Sequence, residues 1–317
     1  MSQAAASPDV IRGSQPVILV TAADLAPQAL ALLSAYELVF AGKTPSEDDV
    51  VALCKHHDPV AIIVRYAKVG ARAMDAAPRL KVISKHGSGT DTIDKVAAKE
   101  RGIQVVAAVG ANAAAVAEQA MALLLACAKS IVTLNERTHA GHWDKATHKS
   151  VDLEGRTVGV IGLGAIGLRF ARMADAMGMR VLGFDPYAAS LPAHVEPVDL
   201  ETIWRESHAI SLHCPLTPDN AKLVDATTLA ACKPGVIIVN TARGGLIDEA
   251  ALLAAVRSGR VGGAGLDSFA VEPMTAPHPF HGEPRIVLSP HIGGVTADAY
   301  VKMGVAAAKN ALAVLNG

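Results

Sequence analysis

Aromatic side chains are scarce in this chain: five Phe, four Tyr and two Trp, 3% of 317 residues. The hydrophobic 51% is instead dominated by Ala and Val. Small aliphatic residues suit parallel strands covered by helices on both faces and argue against a core built on aromatic packing. Cysteine is also rare. Cys54, Cys127, Cys214 and Cys232 show no paired spacing, which leaves no disulfide framework to read and fits a reducing compartment. Neither sign of charge is in excess, with 29 Lys and Arg against 30 Asp and Glu, so no bulk attraction to nucleic acid or to a membrane surface is implied. The longest apolar run, Ala120 to Ala128, is far short of the ~20 residues that span a bilayer. The opening MSQAAASPDVIRGSQ lacks a basic region followed by an apolar stretch, so it is read as a frayed tail and not a secretory signal. A cytoplasmic protein with no nucleic-acid or membrane partner is expected, and the length allows two domains with a large core.

From Pro16 onward, short β-branched runs alternate with amphipathic stretches. Val17 to Val20, Leu38 to Phe40, Ala61 to Val64, Lys81 to Ser84 and Gln104 to Ala107 read as strands, and this βα alternation predicts a parallel sheet. Ser46 followed by Asp49 signals a helix start, and Gly102 closes a helix over Ile93 to Arg101. A long alanine-rich helix is expected over Ala113 to Leu134, leading into a second set of strands at Ala209 to His213, Val236 to Asn240, Val261 to Leu266 and Ile286 to Ser289. The last helical stretch, Thr296 to Leu315, can return to the first domain and make it discontinuous. The expected architecture is α/β: two Rossmann-like doubly wound parallel-sheet domains with an active-site cleft between them. Residues 1–105 and 292–317 would form the substrate-binding domain and 106–291 the cofactor domain.

The run TVGVIGLGAIGLRFARMADAMGMRVLGFDP carries the most specific signal. An apolar strand enters a glycine turn, a helix follows, and a second strand ends on Asp185. Gly162 permits the tight turn, Gly164 lets the backbone approach a pyrophosphate, and Gly167 lets the helix pack closely on the sheet. The helix N-terminus offers amide donors and partial positive charge to the phosphates. Asp185 can accept hydrogen bonds from both hydroxyls of an adenosine ribose and would repel a 2'-phosphate, so NAD is expected over NADP. The first βα turn, Thr21 to Ala23, has no glycine, and the dinucleotide is not expected there.

Ligands of open α/β sheets bind beyond the carboxyl ends of the strands, which draws attention to Cys214, Thr241, Ala242, Arg243, Asp267 and His291. Arg243, in NTARGG, presents a planar charged fork suited to a carboxylate or carbonyl oxygen. His291, in SPHIGG, can exchange the proton of a hydroxyl at neutral pH. Glu272 lies in a Pro-bounded loop from which it could orient the imidazole. Taken singly, these would be a surface ion pair, a structural histidine and a solvated acid. Beside a dinucleotide fingerprint they supply what hydride transfer to or from an alcohol asks of a protein: a proton acceptor, a carbonyl polariser and a positioned cofactor. His139, His142 and His148 match no metal-ligand spacing, and no metal is expected. Cys214 is read as a wall of the cofactor pocket.

With these motifs in order, the chain resembles the D-isomer-specific 2-hydroxyacid dehydrogenase family over nearly its whole length. The matching pieces are SKHGSGTDTID, GLGAIG with Asp185, HCPLT, NTARGGLIDEAAL, GLDSFAVEP and SPHIGG. Among the branches it is most similar to short D-3-phosphoglycerate dehydrogenases. The resemblance implies that His291 is the acid/base, Glu272 its partner and Arg243 the clamp on the substrate's carboxylate and carbonyl. It also implies that the backbone amides of Ser88 and Gly89 bind the carboxylate, and that Ala165, Ile166, Asp185, Cys214, Thr241, Ala242 and Asp267 line the NAD site. A homodimer formed through the cofactor domain is implied as well, with the alanine-rich helix and the Gly141 to Trp143 arm at the contact.

Two departures stand out. Lys85, His86 and Gly87 replace a common Arg-Ala-Gly, leaving Lys85 as a candidate contact for a second anionic group. Gln119 stands where the helix motif often has His, and Val109 where a nearby Pro is common; neither is expected to touch the proton transfer. The chain length leaves no room for a serine-sensing regulatory domain, so feedback by that route is not expected. The activity implied is NAD-dependent interconversion of a D-2-hydroxy acid and its 2-oxo acid, 3-phosphoglycerate being one candidate, with glyoxylate or hydroxypyruvate reduction as the alternative. A different class of reading is an NAD(H)-sensing binding protein of the same fold.

Overall fold

The computed structural model describes residues 15–275 and 277–317. Nearly all of the expected N-terminal tail therefore lies outside the described residues. The chain divides into two units, one running to Ala111 and resuming over Ala297–Gly317, the other Asn112–Thr296.

The first unit alternates β1 (Val17–Val20), α1 (Pro27–Leu32), β2 (Glu37–Phe40), α2 (Glu47–His57), β3 (Ala61–Val64), α3 (Ala71–Asp75), β4 (Val82–Lys85), α4 (Lys95–Glu100) and β5 (Gln104–Ala107). The sheet is parallel with order β2-β1-β3-β4-β5. Every residue of β1 and β3 is buried, as strands covered on both faces require. The capping box at Ser46 forms as expected, with Asp49 N donating to Ser46 Oγ at 3.1 Å and Ser46 N to Asp49 Oδ2 at 2.9 Å. The C-terminal helix Ala297–Asn316 returns to this unit. Its Ala307, Ala308 and Ala311 pack on Ile18, Ile63 and Val82, and Ser84 Oγ donates to Ala307 O at 2.8 Å.

The second unit contains α5 (Ala113–Lys129), α6 (Ile131–His139), β6 (Thr157–Ile161), α7 (Gly167–Ala176), β7 (Arg180–Phe184), β8 (Val195–Pro197), α8 (Leu200–Glu206), β9 (Ala209–Leu212), α9 (Ala226–Ala231), β10 (Val236–Asn240), α10 (Glu249–Arg257), β11 (Val261–Leu266) and β12 (Ile286–Leu288). Its parallel sheet runs β12-β11-β10-β9-β6-β7-β8, so the order reverses between β6 and β9. The glycine-rich β11 has a packing reason: a Cβ on Gly265 would sit 2.7 Å from Leu123 Cβ, and one on Gly263 3.3 Å from Cys127 Cβ. Bare backbone on that face lets α5 lie directly on the strand.

Three features differ from the sequence expectation. The helix expected over Ala113 to Leu134 is two helices bent by 60°, because Ser130 adopts a left-handed φ of 50° between them. Strand β8 was not foreseen; it has three residues, of which Glu196 and Pro197 are exposed. The breaks between units fall at Ala111 and Thr296, each several residues beyond the expected boundary. Local hydrogen bonds explain both: Ala108 N donates to Lys85 O and Gly87 O, holding the residues after β5 to the first unit. Ile292 N and Gly293 N donate to Asp267, holding the residues after His291 to the second.

Candidate active site

In an open α/β sheet the ligand crevice opens where strand order reverses, and Gly162 leaves β6 at that point. Its φ is 90°, and an added Cβ would lie 2.6 Å from Cys214 N and 2.7 Å from His213 C. The turn thus rests on the backbone that leaves β9. At Gly167 an added Cβ would meet Gly162 O at 2.0 Å, so α7 can start against the turn only with a glycine there. Gly164 is different, since among the described residues, its own chain neighbours aside, no atom lies within 4 Å of its would-be Cβ. The bareness of Gly164 serves whatever approaches the turn from outside.

Asp185 closes β7 beside this turn. Its Oδ2 accepts from Leu163 N at 2.8 Å and its Oδ1 from Tyr187 N at 2.9 Å, and each carboxylate oxygen keeps a further acceptor position. Ala165 and Ile166 lead from the turn into α7. Beyond β10, Thr241 is 8% exposed and its hydroxyl has no partner among the described residues. An open glycine cradle, an acceptor pair at the strand end and an unpaired hydroxyl fit an adenine dinucleotide. Cys214 is half-buried at the same edge, and burial raises its thiol above the ordinary range. It is a neutral neighbour of the turn rather than a nucleophile.

The predicted acid/base pair assembles in the same unit. His291 Nδ1 lies 2.7 Å from Glu272 Oε2, while Glu272 Oε1 accepts from Phe269 N at 2.9 Å. A carboxylate only accepts, so Nδ1 carries the hydrogen and Nε2 remains as the ring atom that can exchange a proton. The imidazole is 49% exposed, open to a ligand. His291 also has a φ of 54°, a left-handed conformation that costs a non-glycine residue on the order of 1 kcal/mol or more. Asp267 supplies the restraint. Its carboxylate accepts from Ser289 Oγ at 2.5 Å, Ile292 N at 2.9 Å and Gly293 N at 2.8 Å, bracketing His291 on both sides. Asp267 is only 1% exposed; its visible work is to hold this loop. Ser289 Oγ gives its one hydrogen to Asp267 and so accepts from Gln119 Nε2 at 3.1 Å. Gln119, not expected from the sequence to touch the proton transfer, is thereby linked through Ser289 and Asp267 to the loop around His291.

Arg243 follows β10, where the side chain of Asn240 ties the turn by donating to Arg243 O at 2.8 Å and accepting from Ala242 N at 3.0 Å. Arg243 Nη1 donates to Ala242 O at 2.7 Å. A Cβ on Gly244 would stand 1.9 Å from Phe269 C, so the Arg243 turn lies backbone to backbone against the loop that carries Glu272.

Lys85, Ser88 and Gly89 lie in the first unit, at and after the end of β4. Lys85 Nζ donates to Arg65 O at 2.7 Å. Sequence reading passed over Arg65 itself. It directly follows β3, the same strand-end signal that singled out Arg243, and its side chain is 14% exposed, 2.5 Å from Asp24 Oδ1. Its guanidinium lies 4.9 Å from the ring centroids of both Tyr66 and Tyr300. His86 next to it is buried at 7% exposure, and burial, with the Arg65 charge second, pushes it down to about 4. Among the described residues no group of three or more His, Cys, Asp and Glu is arranged to hold a metal ion.

Comparison with known proteins bears on this geometry. Residues 121–293 match the family model described as D-isomer specific 2-hydroxyacid dehydrogenase, NAD binding domain. The chain belongs to that family. It is 42% identical over 277 residues to a hydroxypyruvate reductase of Thermotoga maritima, covering 86% of this chain and 90% of the relative. It is 39% identical over 308 residues to a D-3-phosphoglycerate dehydrogenase of Mycobacterium tuberculosis, covering 96% of this chain and 58% of the relative. The chain thus spans little more than half the length of that phosphoglycerate dehydrogenase. Among solved structures, a glyoxylate reductase from Paecilomyes thermophila superposes with a TM-score of 0.84 at 30% identity, over 94% of each chain. NAD is the cofactor, and the chain is an oxidoreductase of this family.

Proposed function

We propose that this dehydrogenase interconverts a short D-2-hydroxy acid and its 2-oxo acid, with hydroxypyruvate or glyoxylate as the oxo acid, and that Arg243, Glu272 and His291 carry the chemistry. The observation that carries the assignment is the 2.7 Å contact of His291 Nδ1 with Glu272, which leaves Nε2 for the substrate. Arg243 holds the carboxylate and polarises the C2 oxygen. In the oxidative direction His291 Nε2 takes the hydroxyl proton, and Glu272 balances the charge the ring gains. Bound NAD supplies the hydride acceptor, or NADH the donor for the reverse reaction.

The size preference is supported by the strand ends of the first unit. Arg65 is engaged by Asp24 and Lys85 by the Arg65 carbonyl, and an acid beside Arg65 disfavours a dianionic C3 substituent. A second reading, 3-phosphoglycerate, is favoured by the presence of two cations, Arg65 and Lys85, at neighbouring strand ends. Initial rates of NADH oxidation with glyoxylate, hydroxypyruvate, pyruvate, 3-sulfopyruvate and 3-phosphohydroxypyruvate separate the two. A higher kcat/KM for the small monoanions supports the first, and preference for the doubly charged acids the second. No turnover with tight NADH binding would favour an NAD(H) sensor. His291→Ala should lower kcat by roughly two to four orders of magnitude with NADH affinity nearly unchanged; turnover like the parent's would remove the assignment.

A homodimer formed through the second unit is part of this reading. Ile131, Val132, Trp143 and Val151 are exposed there, an apolar set suited to a second copy, and sedimentation velocity tests it. Cytoplasmic residence is consistent with four free cysteines.

A further inference from the structure

The Phe269–Ala270 peptide is where the parts of the candidate site meet. Phe269 N donates to Glu272 Oε1, whose other oxygen holds His291. The same stretch packs on Gly244, whose added Cβ would be 1.9 Å from Phe269 C and 2.3 Å from Ala270 N, so its position also sets that of the Arg243 turn. The next amide, Ala270 N, is taken by Glu249 Oε1 at 2.9 Å. Glu249 is the first residue of α10; its other oxygen, Oε2, lies 3.4 Å from His278 Nε2. Phe280 N donates to His278 Nδ1 at 3.3 Å, so Nδ1 is the unprotonated ring atom and Nε2 carries the hydrogen that faces Glu249. Glu249 and His278 side chains are each 22% exposed. Consecutive amides of one loop are thus fixed by carboxylates from two places, one belonging to the acid/base pair and one to a helix outside it.

We propose that Glu249, held by His278, is a positioning residue that sets the spacing between Arg243 and the Glu272–His291 pair; this rests on the roles assigned to those three residues. A shift of about 1 Å at a site of this kind costs about 100-fold in rate. Among the described residues the Glu249 contact anchors the loop from Phe269 to Glu272 to α10, while Gly244 blocks movement only toward itself. Losing the Glu249 contact frees the peptide to move away from Arg243.

The test is steady-state kinetics of NADH oxidation with the most active oxo acid, on the full chain, for Glu249→Ala, Glu249→Gln and His278→Asn, with His291→Ala as the control. Glu249→Ala should lower kcat/KM for the oxo acid by about 10- to 100-fold while KM for NADH stays within about twofold. Glu249→Gln keeps an oxygen for Ala270 N and should recover most of that loss, and His278→Asn should lose about three- to tenfold. A structural role alone would lower Tm without splitting kcat/KM from KM for NADH. Unchanged kcat/KM in Glu249→Ala and His278→Asn, with His291→Ala inactive, overturns the positioning inference alone. If Glu249→Ala does not fold, His278→Asn decides: a roughly three- to tenfold loss of kcat/KM with KM for NADH within about twofold supports the inference, and an unchanged kcat/KM overturns it. Full activity in His291→Ala removes the underlying assignment and this inference with it.

Discussion

Replacing Gly164 by Ala should separate what the glycine turn does for the fold from what it does for NAD. Among the described residues, its chain neighbours aside, no atom lies within 4 Å of the new methyl, and Gly164 does not have a positive φ. The folded chain therefore accommodates Ala without strain, while the unfolded chain loses conformational freedom. Stability should stay level or rise by about 0.4–1 kcal/mol. The methyl would instead occupy the space through which a pyrophosphate approaches the turn, weakening NADH binding by about 10- to 100-fold, or about 1.4–2.8 kcal/mol. Gly167→Ala is the contrasting variant. Its Cβ would sit 2.0 Å from Gly162 O, more than 1 Å inside ordinary contact, and overpacking of this kind costs about 1–3 kcal/mol or more. Urea melts give the stability of each variant and calorimetric titration with NADH gives the affinity. The reasoning fails if Gly164→Ala destabilises as much as Gly167→Ala, or if it binds NADH as tightly as the parent.

Asp267→Asn keeps one oxygen for its donors but turns an NH2 toward another, leaving a buried donor unpaired. We expect a loss of about 1–3 kcal/mol in stability and a fall in kcat larger than any rise in KM for NADH, because the loop bracketing His291 loosens; a melt and a rate profile matching the parent would contradict this. Acid should destabilise the chain through His86 and His213. Burial holds them at about 4 and about 3, below the ordinary 6.5 of the unfolded chain. Between pH 6.5 and 4 the unfolded state binds more protons, so stability falls with falling pH by up to about 1.4 kcal/mol per unit for each histidine. Melts of His86→Asn across that range should show a shallower slope, and an unchanged slope would exclude His86 as a source.

The parallel sheets, the glycine turn and the strand-end residues were legible in the sequence because each is a local signal. Apolar runs of four to six residues with β-branched content mark buried parallel strands, and a glycine triplet between strand and helix with an acid at the next strand end has few other uses. What escaped was set by contacts across the sequence or by local exceptions. The helix broke at Ser130 because one residue adopted a left-handed backbone, which no periodicity announces. Strand β8 is too short and too exposed to carry an alternation signal. Gln119 looked like a neutral departure until Ser289 and Asp267 linked it to the His291 loop, 170 residues away along the chain from helix to strand end. Sequence alone determined which chemical groups the protein has and at which strand ends they stand, since periodicity and turn chemistry are local. Tertiary structure decided which nitrogen of His291 Glu272 engages and which it leaves open, which carboxylate holds its backbone and which meets its ring. Those choices depend on distances of about 3 Å between residues brought together only by packing.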